Sequence, residues 1–128
     1  MAGQVTTGGS NGRFDLEERT ARFGEAAIAF AALVPGDGIS GTFRDQFVRA
    51  ATSVGANYGE ANEGESRRDF RHKIGLCRKE ARECRHWLRM LLARHPERAT
   101  PAAPLVQEAK ELHPIFCAIL RTLDRKDP

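Results

Sequence analysis

Residues 47–92 read FVRAATSVGANYGEANEGESRRDFRHKIGLCRKEARECRHWLRMLL, and the spacing of apolar positions in this stretch decides the fold. In its second half, Phe70, Ile74, Cys77, Ala81, Cys84, Leu88 and Leu91 recur at alternating intervals of four and three. That is the seam of a helix packed along its length on others. Upstream, Phe43, Phe47, Ala50, Val54, Asn57 and Ala61 keep the same rhythm. Between the seams, Asn62-Glu63-Gly64-Glu65-Ser66 can reverse the chain. Gly64 suits a left-handed position past a helix end, and Ser66 can cap the next helix with Asp69 in the place of a capping box. An αα-hairpin is expected.

On either side of the hairpin the pattern continues. A first helix is expected from about Asp15 to Val34, with Phe23, Ala26, Ala27, Phe30, Leu33 and Val34 on one side and Pro35-Gly36-Asp37-Gly38 ending it. Ser40 or Thr42 should cap a second helix over 42–63, with Asp45 three residues after Thr42. The third helix, over 66–94, contains no proline and is stopped by His95-Pro96. A fourth, over 101–125, carries Leu105, Ala109, Leu112, Phe116, Ile119 and Leu123 on its seam, with Pro114 inside it as an expected kink. No stretch alternates with period two, so no sheet is expected. Four helices with short loops predict an all-α, antiparallel up-and-down four-helix bundle over 14–126. Residues 1–13, rich in Gly, Thr and Ser, form an expected disordered tail.

The 128 residues suffice for one core. No apolar run approaches the ~18 residues of a membrane span, and no secretory leader is read at the N-terminus. Three cysteines, two on a helix seam, are not a disulfide framework, and a reducing cytoplasm is the expected setting. Cys77, Cys84 and Cys117 read as small apolar fillers.

The second and third helices also resemble a known family. Arg49-Ala50-Ala51-Thr52-Ser53-Val54-Gly55-Ala56-Asn57-Tyr58-Gly59-Glu60, then Ser66, Asp69-Phe70, Ile74, Lys79-Glu80-Ala81-Arg82-Glu83 and Trp87-Leu88, are similar to the four-helix-bundle proteins of the 23S rRNA-intervening-sequence type. Ala61 departs from the pattern, which commonly has Gly there. The resemblance implies a small bundle assembled into a ring, typically a homopentamer, with no known enzymatic activity. It also implies kinship with proteins encoded inside ribosomal RNA insertions and with accessory proteins of diversity-generating retroelements, hence a link to nucleic acid.

Charge is segregated along the chain. From Ser66 to Arg98 there are 11 Lys or Arg against 4 Asp or Glu, an excess of 7 in a chain whose total is +3, so the remainder is net acidic. Arg71, Arg78, Arg82, Arg85 and Arg89 fall at intervals of seven, four, three and four, one stripe beside the apolar seam. Guanidinium groups so spaced can follow a phosphate backbone and release counterions. The plainer alternative is a solvated face paired to Glu80, Glu83 and neighbouring helices. No aromatic residue interleaves with the stripe, so binding by shape and charge is expected in place of base stacking.

Ser53, Asn57 and Glu60 share one side of the second helix, and Glu80 and Glu83 flank the seam of the third. Partly buried polar groups need partners, so this set is expected to form an interhelical polar cluster. Gly55 and Gly59, four apart, call for close approach by another backbone, either within the bundle or between subunits; a subunit contact is favoured, and together with Trp87 they are assigned to an oligomer contact. Glu83-Cys84-Arg85-His86 spells the Glu-x-x-His of di-iron bundles, but that chemistry needs the motif twice. No metal, cofactor, small-molecule substrate or catalytic residue is expected. The reading is a non-enzymatic oligomer, a homopentamer by resemblance, binding RNA or DNA through its third helix. The alternative is an assembly or adaptor protein whose basic face takes an acidic protein partner.

Overall fold

A computed structural model describes residues 12–126, with side chains described from Leu16 to Arg125; most of the N-terminal tail expected to be disordered lies outside the described residues. Four helices follow in order: α1 (Gly12–Ala31), α2 (Gly38–Asn62), α3 (Arg67–Arg94) and α4 (Ala99–Lys126), with a 3-10 turn, Pro96–Arg98, before α4. Gly12 and Arg13, assigned to the tail by sequence, are already helical. No strand occurs among the described residues.

The third helix begins as its sequence requires. Ser66 is extended, and its hydroxyl accepts a hydrogen bond from the Asp69 amide at 3.0 Å. This satisfies one of the amides a helix start leaves without a partner. The turn before it differs from expectation. No described glycine has a positive φ, so Gly64 is not a left-handed cap; its amide donates to Ala61 O at 3.1 Å. The start of α2 also differs. Its cap is Asp37, which accepts from Ser40 N at 3.3 Å, so neither Ser40 nor Thr42 caps it. Thr42 instead bonds back to Gly38 O, as a hydroxyl inside a helix does.

Register follows from cross-helix contacts. Thr20 opposes Gly55 and Gly24 opposes Thr52 between α1 and α2. Between α2 and α3, Val54 O receives Cys77 Sγ and Phe43 stacks at a tilt on Trp87, ring centroids 6.0 Å apart. Arg71 reaches Asp124 between α3 and α4, and Arg19 reaches Glu108 between α1 and α4. Further along the same pairs Arg89 stands by Val106 and Leu33 by Pro101, so in every pair one number rises as the other falls and each neighbouring pair is antiparallel.

The seam of α3 is buried along its length: Ile74, Cys77, Ala81, Cys84, Leu88 and Leu91 are all at most 1% exposed. Phe47, Val54 and Tyr58 of α2 and Leu112 and Phe116 of α4 close on it, with Phe23, Ala27 and Phe30 from α1. Burial pushes the Cys77 thiol up to about 12 and raises that of Cys84 as well, so both stay protonated at neutral pH. The sequence seam fails at two ends. Leu33 is exposed, because the helix gives way at Ala31 to turn bonds from Leu33 N and Val34 N, and Ala26, inside α1, also faces outward. In α4 the last buried position is Leu120, with Ile119 and Leu123 only half-buried. A 3.6-residue period rotates the stripe away from a strict seven-residue repeat.

Gly55 corrects the assignment to a subunit contact. A Cβ there would lie 3.3 Å from Thr20 O and 3.5 Å from Ala21 N, so its close approach is to α1 within the chain. A Cβ at Gly59 meets nothing within 4 Å. The two substitutions should therefore move stability in opposite directions. Gly59→Ala should add about 0.5–1 kcal/mol from helix propensity, whereas Gly55→Leu should cost about 1–3 kcal/mol by overpacking α1. Urea unfolding of the two variants checks this, and equal effects would refute the packing assignment.

Candidate nucleic-acid interface

The cap at Ser66 and the buried seam together set which way α3 turns its remaining side chains. Positions three or four apart share a face, so once the seam points inward the arginine stripe must face outward, on the side of α4. Arg71, Arg78, Arg82, Arg85 and Arg89 are all exposed. Arg71 is engaged: its guanidinium makes a two-pronged pair with Asp124, at 2.7 and 3.0 Å. Arg67, one turn earlier, donates to Leu123 O at 2.7 Å, so this end of the stripe ties α3 to α4. No carboxylate among the described residues ion-pairs with Arg82, Arg85 or Arg89. Of the plainer alternative, pairing to a neighbouring helix holds for Arg71, whereas neither Glu80 nor Glu83 ion-pairs with the stripe among the described residues.

Beside these three arginines α3 and α4 part to leave a hollow of about 560 Å³. Arg82, Arg85, His86 and Arg89 line one side, Lys110 stands on the other, and Leu88, Leu92 and Val106 provide apolar surface. Among the described residues no acidic side chain lines it. Lys110 and Val106 carried no signal in the sequence, because their place opposite Arg85 and Arg89 follows only from the α3–α4 register.

A histidine reports the field of this face. His113 of α4 is held below the ordinary histidine range by burial first, then by the charges of Arg85, Arg82 and Arg78. Three like-signed guanidiniums thus act together across the helix boundary.

The polar cluster expected between α2 and α3 forms only in part. Lys73 pairs with Glu60 across the helices, but Asn57 Nδ2 bonds to Ser53 O on its own helix at 2.9 Å. Glu80 and Glu83, half-buried, make no hydrogen bond or ion pair among the described residues. Glu80 is raised above the usual carboxylate range by burial first and by Glu83 next. Trp87, half-buried, packs on Phe43 of the same chain.

One constellation escaped the sequence. Ser40 Oγ lies 2.7 Å from His95 Nε2, and His95 Nδ1 lies 3.3 Å from Glu97 Oε2. The order hydroxyl, imidazole, carboxylate matches that of a hydrolase triad. Ser40 is 0% exposed, however, so no substrate carbonyl can reach its oxygen. The set serves as a clamp between the start of α2 and the turn before α4. Among the described residues no group of three or more His, Cys, Asp or Glu is arranged to hold a metal ion, and no helix is long and apolar enough to cross a membrane.

Comparison with known proteins agrees with this architecture. The family model described as 23S rRNA-intervening sequence protein matches residues 23–117. No curated protein matches the chain significantly. A crystal structure of a protein of unknown function from the S23 ribosomal protein family of Bacteroides thetaiotaomicron is similar in fold, with a TM-score of 0.74 and 23% identity over 81% of this chain and 96% of that one.

The field on His113 has a measurable sign. The folded chain disfavours the imidazolium, so the unfolded chain binds more protons below the ordinary imidazole value of ~6.5. This contribution to stability is complete above that value and is lost as pH falls through it. In an NMR titration His113 should protonate below the free-imidazole range, and Arg82→Glu with Arg85→Glu should move its midpoint upward. An unmoved midpoint would mean that the arginine charges do not act at this site.

Proposed function

This chain belongs to the 23S rRNA-intervening sequence protein family, and from that premise we propose that it is a non-enzymatic bundle that binds nucleic acid through the α3 face beside α4. The observation that carries the reading is the set Arg82, Arg85, Arg89 and Lys110, four cations around a hollow that no carboxylate among the described residues lines. A solvated structural face of this charge density would ordinarily interleave both signs. Phosphates would displace the counterions held near such a surface, which makes the interaction favourable and salt-dependent. The family name adds a ribosomal RNA setting, and a cytoplasmic location accords with it.

The proposal includes self-association, with a homopentameric ring as the expected form. Ile28, Leu33 and Ile39 are 54%, 48% and 60% exposed. Leu33 also joins Ala26, Ala29, Pro101 and Pro104 around an apolar hollow of about 270 Å³ between α1 and α4. Such surface lowers its free energy by meeting a partner. A ring would repeat the basic face on every subunit and multiply a modest contact through effective concentration.

Two measurements test the reading. Affinity for a labelled RNA should fall steeply between low and physiological salt, and Arg82→Glu with Arg85→Glu should weaken it by at least about tenfold, since two phosphate contacts become repulsions. Light scattering should give a mass several times that of the 14.2 kDa chain. Undiminished RNA affinity in the double variant would refute the interface. Binding to acidic proteins with no response to any nucleic acid would assign the face to an adaptor role.

A further inference from the structure

The shape of the basic face carries information that its charge does not. A face that only tracks the outside of a duplex needs cations and polar donors and no apolar surface among them, because the phosphates are the outermost groups and the bases stay stacked. Here the cations surround a depression whose base is Leu88, Leu92 and Val106. Leu88 is closed off at 1% exposure, while Leu92 and Val106 are half-buried and packed against the core. A phosphate lowered onto that floor would lose water and gain no partner. A group that satisfies both parts must be apolar and planar where it enters and anionic where it leaves.

We propose that this hollow seats an unpaired base, so that the nucleic acid taken by the α3–α4 face is single-stranded. The inference rests on the nucleic-acid reading above and narrows it. About 560 Å³ is far more than the roughly 30 Å³ share of one water, so there is room for a base with its sugar. Arg82 to Arg89 span about 10 Å along the helix axis, long enough to meet phosphates on both sides of an inserted nucleotide. Lys110 faces them from α4. Stacking does not require an aromatic residue from the chain, because guanidinium planes stack on bases as well, and the His86 ring stands at the edge of the same hollow. The charge-only expectation from the sequence therefore changes once the floor between the helices is known.

Fluorescence polarisation with the full chain tests this, using three labelled probes of equal length: a single-stranded oligonucleotide, the same strand with its central bases removed as abasic sites, and a duplex. The base-bearing single strand should bind tighter than the abasic strand by about tenfold, the range of a base-stacking contact. In Val106→Trp, which fills the hollow without changing charge, the base-bearing strand should fall to the affinity of the abasic one. Equal binding of base-bearing and abasic strands by the native chain would overturn the proposal while leaving the phosphate-binding reading intact, and that comparison needs no variant to fold. Failure of all three probes at low salt would strike the nucleic-acid reading itself. A synthetic acidic amphipathic helix that binds tighter than the single strand and is lost in Val106→Trp would give the hollow to a protein partner and overturn the base seat.

Discussion

A helix of 28 residues, here α3, is held in water by burying one stripe for its entire length. Everything else in this structure follows from where that stripe had to go. Its six fully buried positions take up the side of α3 that faces the interior. The two flanks that remain are therefore committed to different neighbours. One flank lies along α2 and carries Glu80, Glu83 and Trp87; the other lies along α4 and carries the arginines. Residues two apart on a helix point in nearly opposite directions, so Glu80 and Arg82, or Glu83 and Arg85, cannot neutralise each other. Charge separation across α3 is a consequence of the seam, and it explains why Arg82 and Arg85 are felt by His113 of α4 while Glu80 lies in the field of Arg49 of α2.

The seam was legible in the sequence because its information is local and periodic. Ile74 through Leu91 needed only their own spacing, and Ser66 needed only Asp69 three residues on. The starts and turns were harder, for a physical reason. Asp37, Ser40 and Thr42 all have oxygens that can accept from a helix-start amide, and the choice among them fell to Ser40's other partner, His95, 55 residues away. That bond keeps Ser40 inside the helix and leaves the cap to Asp37. Gly64 looked like a left-handed residue by composition, yet the chain reverses through a C-cap at Glu63 with φ −95°. Gly55 and Gly59 looked equivalent on one face. Only the line of α1 across α2 separates them, since it crosses close at Gly55 and leaves Gly59 open.

The candidate site was legible in its cations and illegible in its shape. Spacing alone put Arg78, Arg82, Arg85 and Arg89 on one stripe, and all four are exposed. Nothing local could show that Arg71 would be held by Asp124, or that Lys110 and Val106 would stand across from Arg85 and Arg89. Those facts depend on the register between α3 and α4, which is set by side chains packing far along both helices. The distinction matters for function. A list of arginines specifies a sign of charge, whereas the hollow adds a shape and an apolar floor to it.

The same charge separation constrains how self-association and ligand binding can coexist. Half-buried Glu80 and Glu83 make no ion pair among the described residues, and Arg82, Arg85 and Arg89, which make none there either, sit on the opposite flank of the same helix. A head-to-tail contact that brought one copy's arginines to another's glutamates would satisfy both sets of charges, but it would consume the face proposed for nucleic acid. Burial of those arginines would also carry a desolvation cost that pairing offsets only with good geometry. A contact made through the apolar surfaces of α1 and the start of α2, where Leu33 and Ile39 are exposed, leaves the basic face open on every subunit. An assembly that binds nucleic acid must therefore be closed mainly by apolar contact, with Glu80 and Glu83 meeting cations from outside the α3 stripe. An assembly closed by charge would be a store of the same surface in a form that cannot bind.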